Sequence, residues 1–181
     1  AVELRFLVRQ GSVFSLTGRG QFLIEAVRPN TVHPYPLTSS SKVFLFHSLL
    51  TIDYFGLSAI ARSLLEGKGR PISIQREYHT QLLRVLGDAA SSSVTTQFTR
   101  FAKDRIIAIR NWKNPTSYAE HLVSAKLNWL IDLDILEVAP SANMGLAPKR
   151  EHRNWLEEFT KTTVPTESHL LAFSLNYCSA I

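Results

Sequence analysis

Between residues 97 and 113, cations recur at a spacing that gathers them on one side of a helix. At 100° per residue, Arg100, Lys103 and Arg110 fall within a sector of roughly 80°. They lie opposite Phe98, Phe101 and Ile109, and Lys113 follows at the end. A row of ammonium and guanidinium groups attracts phosphate oxygens and fixes position on a polyanion without reading its sequence. The plain alternative is a solvated basic face. In the next segment, residues 117–132 (SYAEHLVSAKLNWLID), Ser117, His121, Ser124 and Asn128 share a face at i, i+4, i+7 and i+11. Ala119, Leu122, Val123, Trp129 and Leu130 share the opposite one. The polar side chains suit hydrogen bonding to base edges in a major groove, where asparagine pairs with adenine and serine or histidine serves bases or phosphates. Every surface helix has a polar face, however, and no arginine or lysine joins this one, which argues against strong sequence reading. Lys126 projects from the middle of the apolar arc and must snorkel or meet a carboxylate. Arg105 sits among the apolar positions of its helix, with no role evident from the sequence.

Other chemistries find little support. The six histidines (33, 47, 79, 121, 152 and 169) lack metal-ligand spacing. His47 belongs to the most apolar segment and reads as a core residue. The adjacent pair Glu157 and Glu158 points to different helix faces. The single cysteine, Cys178, cannot form an internal disulfide or a zinc site. No serine lies in a nucleophile-elbow motif. Residues 67–70 (GKGR) lack phosphate-loop spacing and follow a helix, whose C-terminus repels phosphate. They read as a helix cap with two exposed cations. A non-catalytic protein without metal or cofactor is expected.

The elements that must carry these faces are mostly helical. Residues 2–16 read as two strands around Gln10-Gly11-Ser12, and Thr17 caps a helix over 19–27. Three prolines within 29–36 (PNTVHPYP) mark a linker. Residues 42–52 read as a buried helix, broken at Tyr54-Phe55-Gly56 and followed by a second helix over 57–66. A third helix, capped by Ser73, runs to Gly87. A fourth opens at Ser91-Ser92-Ser93 and ends near Trp112. Ser117 and Glu120 fit a capping box for the fifth. Short strands are expected over 133–138 and from Leu146 to Pro148, around a turn at 139–145, with helices opening near Glu151 and Glu167.

The stretch from Leu127 to Glu137 (LNWLIDLDILE) resembles the helix-into-strand junction of the winged helix-turn-helix superfamily, in which a small residue usually stands at the Asp134 position. Residues 14–20 (FSLTGRG) resemble that superfamily's second wing strand running into a helix. The early copy shows only the second half of the unit. The resemblance covers about 1–28 and 91–160; Asp134 and Pro148 depart from the usual pattern. It implies a mainly α fold of tandem winged-helix elements joined by a helical middle region. The divisions are a partial winged-helix tail at 1–37, a helical region at 38–90, a winged helix at 91–161 and a C-terminal helix at 162–181.

The chain has 181 residues and a formal charge of +5, with 91–133 its most basic block and 134–181 net acidic. That balance favours an anionic partner. The expected function is therefore duplex DNA binding by a non-catalytic module, part of a larger prokaryotic regulator or DNA-processing complex. Arg100, Lys103, Arg110 and Lys113 would hold phosphates, and Ser117, His121, Ser124 and Asn128 would face bases. One alternative is an adaptor subunit that uses winged helices for protein–protein assembly. Another is the recognition region of a nuclease whose catalytic domain lies outside these residues, since the opening half-unit reads as a fragment. With no apolar run near 18 residues and no secretory signal, a cytoplasmic protein without a membrane span is expected.

Overall fold

The computed structural model describes residues 6–26, 37–94, 96–139 and 145–181. The expected linker at 29–36, most of the turn at 139–145 and the start of the first strand lie outside the described residues. The fold is mainly helical, as expected. In chain order the elements are β1 (Leu7–Gln10), β2 (Val13–Leu16), α1 (Gly18–Ala26), α2 (Ser39–Leu65), α3 (Pro71–Ala90), α4 (Gln97–Arg110) and α5 (Pro115–Asp132). Then come β3 (Leu136–Val138), β4 (Leu146–Pro148), α6 (Arg150–Lys161) and α7 (Glu167–Ala180). The strands form two separate antiparallel hairpins, each leading into a helix.

The first hairpin turns at Gly11, whose φ of 63° suits a two-residue loop with glycine in the first central place. Its strands are largely exposed. Thr17 caps α1 through its hydroxyl, which accepts from the Gly20 amide. Phe6 is buried, and it and Phe22 pack on Phe44 of α2.

Helix α2 is the central rod. Thr38 caps it by accepting from the Ser41 amide. The break expected at 54–56 is a kink inside one 27-residue helix, with Asp53 alone in non-helical geometry (φ −136°, ψ 40°). Residues on both sides of the kink are buried, so both halves share one core. The Asp53 carboxylate folds over Gly56, where a β-carbon would collide with it. Because the halves merge, α2 is long and apolar enough to cross a membrane by length and composition, contrary to the expectation that no such run exists. Most of its apolar window is buried inside the fold, as in the core helix of a globular domain. Its C-terminus is a Schellman motif: Gly67, at φ 77°, donates to Leu64, and Lys68 donates to Ser63.

Helix α3 starts at Pro71, two residues before the expected Ser73 cap, and runs through Gly87 to Ala90. Proline suits the first helical turn, where its missing N–H is no loss. An isolated glycine weakens a helix without ending it. Helix α3 packs against α2, α4 and α5, and α7 closes over α2 and α6. One cluster of buried side chains runs from Phe6 to Tyr177. Two phenols tie distant parts together. Tyr54 donates to the Thr162 and Phe159 carbonyls at the end of α6, and Tyr177 donates to the Leu133 carbonyl at 2.6 Å. Burial pushes both phenols well above the usual tyrosine range, so they remain donors. The last helix runs from Glu167 to Ala180.

Candidate functional site

Helix α4 opens at Gln97, later than the expected serine run at 91–93. Thr96 and Thr99 form a reciprocal capping box: the Thr96 hydroxyl accepts from the Thr99 amide, and the Thr99 hydroxyl accepts from the Thr96 amide. The helix buries Thr99, Ala102 and Ile109 and leaves Arg100, Lys103 and Arg110 exposed, with Lys113 exposed in the loop beyond. Among the described residues none of these four cations has a carboxylate within ion-pair distance. Asp104 is the one acid between 97 and 113. Ile107, 65% exposed, lies among the same cations and gives the face an apolar spot.

Four residues separate α4 from α5. Asn114 caps α5, its side-chain oxygen accepting from the Ser117 amide, and Pro115 takes the first helical position. Ser117 is therefore not the cap, and it is half-buried where full exposure was expected. His121, Ser124 and Asn128 are exposed, and Ala119, Val123, Leu127 and Leu130 are buried, as the helical phase requires. Leu122 and Trp129, expected in the core, are only half-buried because they sit at the edge of the buried arc.

Ser124 is already engaged. It donates to the Glu120 carbonyl at 2.6 Å and accepts from the Gln75 amide of α3 at 3.0 Å. The sequence carried no signal for Gln75, which lies 49 residues away. Glu120 and Asp132 share the exposed side of α5, while no arginine or lysine does. The structure thus leaves His121 and Asn128 exposed on one face with no hydrogen-bond partner among the described residues, half-covers Ser117, and ties Ser124 to α3.

Beneath that face, Lys126 meets a carboxylate after all. Its ammonium lies 3.0 Å from Asp53 at the α2 kink and 5.5 Å from the centre of the Tyr78 ring, and its side chain is 8% exposed. Burial, with the Asp53 charge, holds the Tyr78 phenol well above its ordinary range. The kink, α3 and α5 are locked by this one cation.

The end of α5 is a second Schellman motif. Asp134 donates to Ile131, and Ile135 donates to Leu130, with Leu130 and Ile135 both buried. Asp134 stands at φ 66°, a left-handed conformation that a residue with a β-carbon adopts at a cost. Its carboxylate takes the Lys149 ammonium at 2.6 Å, which keeps it ionised well below the usual carboxylate range. Residues 133–135 therefore turn instead of extending, and the strand begins at Leu136. β4 returns antiparallel, with Leu136 opposite Pro148. The Leu146 amide also donates to Gly69 at 2.7 Å, so the loop before α3 lies along the hairpin. A β-carbon on Gly69 would strike the Leu146 carbonyl. Lys68 in that loop is paired with Glu66 and Glu77, so it is not a free cation.

Among the described residues no group of three histidine, cysteine, aspartate or glutamate side chains is placed to hold a metal ion. His47 bonds Ser174 at 2.9 Å, and burial lowers its pKa. Comparison with known proteins finds no matching family, curated protein or solved structure.

Proposed function

We propose that this chain binds duplex DNA as a non-catalytic module, through the α4–α5 surface of a winged-helix unit. The observation that carries the reading is the row of exposed cations, Arg100, Lys103, Arg110 and Lys113, with no carboxylate partner among the described residues. Free cations in a row suit successive phosphates, which they contact without reading sequence. The order α3, α4, α5, β3, β4 supports the reading, with α3 packed against both helices that follow it and a hairpin next in the chain. Base reading rests on a smaller set, His121 and Asn128. Glu120 and Asp132 on the same side oppose close approach to phosphates, so affinity comes from α4 and sequence preference is weak.

Fluorescence anisotropy on a preferred and a scrambled duplex tests this division of labour. Replacing any one of the four cations with alanine lowers the salt slope by about one and weakens both duplexes alike. Asn128→Ala weakens only the preferred duplex, by roughly 1–3 kcal/mol if the side chain pairs bidentately. Cation variants that bind like the unaltered protein would remove α4 from the interface.

The second reading is an adaptor that docks other protein subunits. Ile107 within the basic row favours it, as do Leu171 and Leu175, exposed one turn apart on α7. On that reading the cation variants lose a protein partner and leave DNA untouched.

A further inference from the structure

The α2 kink, α3, α4 and α5 line a half-open cavity of about 580 Å³, within the range of small-molecule sites. The kink at Asp53 forms one wall. Aromatic rings dominate the others: Tyr78 from α3, Phe98 and Phe101 from α4, and Trp129 from α5. Phe101 and Arg105 are exposed, so they form the rim, whereas Lys126 is buried and lies deep.

Three charged side chains line this space. Lys126 and Asp53 are paired with each other and cancel. Arg105 has no carboxylate within ion-pair distance among the described residues, so the lining keeps one positive charge. Arg105 is also the residue whose place on the apolar side of α4 had no explanation in the sequence. The cavity supplies one, because that side of α4 faces into it. A flat π-system matches aromatic walls, which favour offset stacking and edge contacts over disordered aliphatic packing. A single rim guanidinium matches a single carboxylate or sulfonate, which it grips through paired N–H donors.

We propose that this cavity is a binding site for a flat, largely apolar monoanion, an aromatic carboxylate or its sulfonate counterpart, with the rings against the aromatic walls and the anionic group on Arg105. The site is independent of the DNA reading, since it uses neither the outer cations of α4 nor the exposed face of α5.

Two fluorescent probes sharing one skeleton make the test. 8-Anilino-1-naphthalenesulfonate carries the anion and N-phenyl-1-naphthylamine lacks it. The unaltered protein binds the sulfonate saturably at one site, and more tightly than the neutral amine. Arg105→Gln weakens the sulfonate by roughly tenfold, the worth of one charge-assisted contact, and leaves the amine unchanged. The exposed position of Arg105 lets that variant keep its fold, which a thermal melt checks. Leu122→Phe narrows the cavity and weakens both probes. Failure of the sulfonate to bind, or equal binding to the unaltered protein and the Arg105→Gln variant, would overturn the proposal. So would affinity for both probes that is unchanged in a folded Leu122→Phe variant.

Discussion

Lys126 and Asp53 show how a single pair can hold three helices. A cation at 8% exposure is tolerated because its carboxylate is 3.0 Å away. Removing one partner of such a pair leaves the other charge buried, so Asp53→Ala costs about 3 kcal/mol. The double change Asp53→Ala, Lys126→Met costs less than that single change, because no lone charge remains. Urea denaturation of the three proteins measures both; equal loss in the single and double variants would show that the pair is not coupled. His152 gives a pH signature. Its ring is buried, and its Nδ1 accepts from Trp155 Nε1 at 3.0 Å, so its pKa is lowered chiefly by desolvation. A group with a lowered folded pKa stabilises the fold above its unfolded value near 6.5, and that stability is lost as pH falls. His47 is shifted the same way. The melting temperature therefore drops on acidification below about pH 6.5, and His152→Gln flattens part of the drop. A melting temperature that rises on acidification through this range would contradict the assignment of both rings as neutral. At this scale the sequence spoke partly. It showed that Lys126 must either snorkel or meet a carboxylate, but nothing local named Asp53, 73 positions earlier.

At the scale of elements, part of the local chemistry was legible, although the serine caps expected at 73, 91–93 and 117 are not the caps. The glycine-bearing first hairpin, the Thr17 cap, the Gly67 cap and the phase of α5 follow from neighbours in sequence. The left-handed backbone of Asp134, at φ 66°, is seen in the structure. That position gives a substitution series. Asp134→Gly keeps stability close to that of the unaltered protein, since relief of left-handed strain offsets the lost Lys149 bridge and the freer unfolded chain. Asp134→Ala, with a β-carbon and no carboxylate, costs about 1 kcal/mol. Thermal melts rank the three, and an alanine variant as stable as the glycine one would deny the strain. Boundaries set by tertiary packing were not legible. The break at 54–56 became a kink because the core clamps both halves of α2. Gly87 did not end α3 because that helix is held along its length by α2, α4 and α5. Ser117 looked like a cap, but Asn114-Pro115 starts the helix two residues earlier.

For the whole molecule, charge and shape divide the labour. The basic block at 91–133 presents its free cations on the outer side of α4, while 134–181, with α6 and α7, is net acidic. On the proposed function, such an asymmetry orients the molecule on a polyanion before any contact forms. The cavity lies on the opposite side of the same helices and was invisible in the sequence, because its walls come from four helices spread over some 80 positions. The exposed cations were legible, being a matter of phase alone; their lack of carboxylate partners among the described residues required the structure. The central claim is that these four cations grip phosphates, and the salt dependence of duplex binding tests it most directly. Four phosphate contacts give a slope of log Kobs against log salt of roughly −3.6, largely independent of duplex sequence. An anisotropy titration at several salt concentrations, on one arbitrary and one scrambled duplex, measures that slope. A slope near that value on both duplexes is the predicted result, and no salt-sensitive binding to either duplex would contradict the account and leave the adaptor reading in its place.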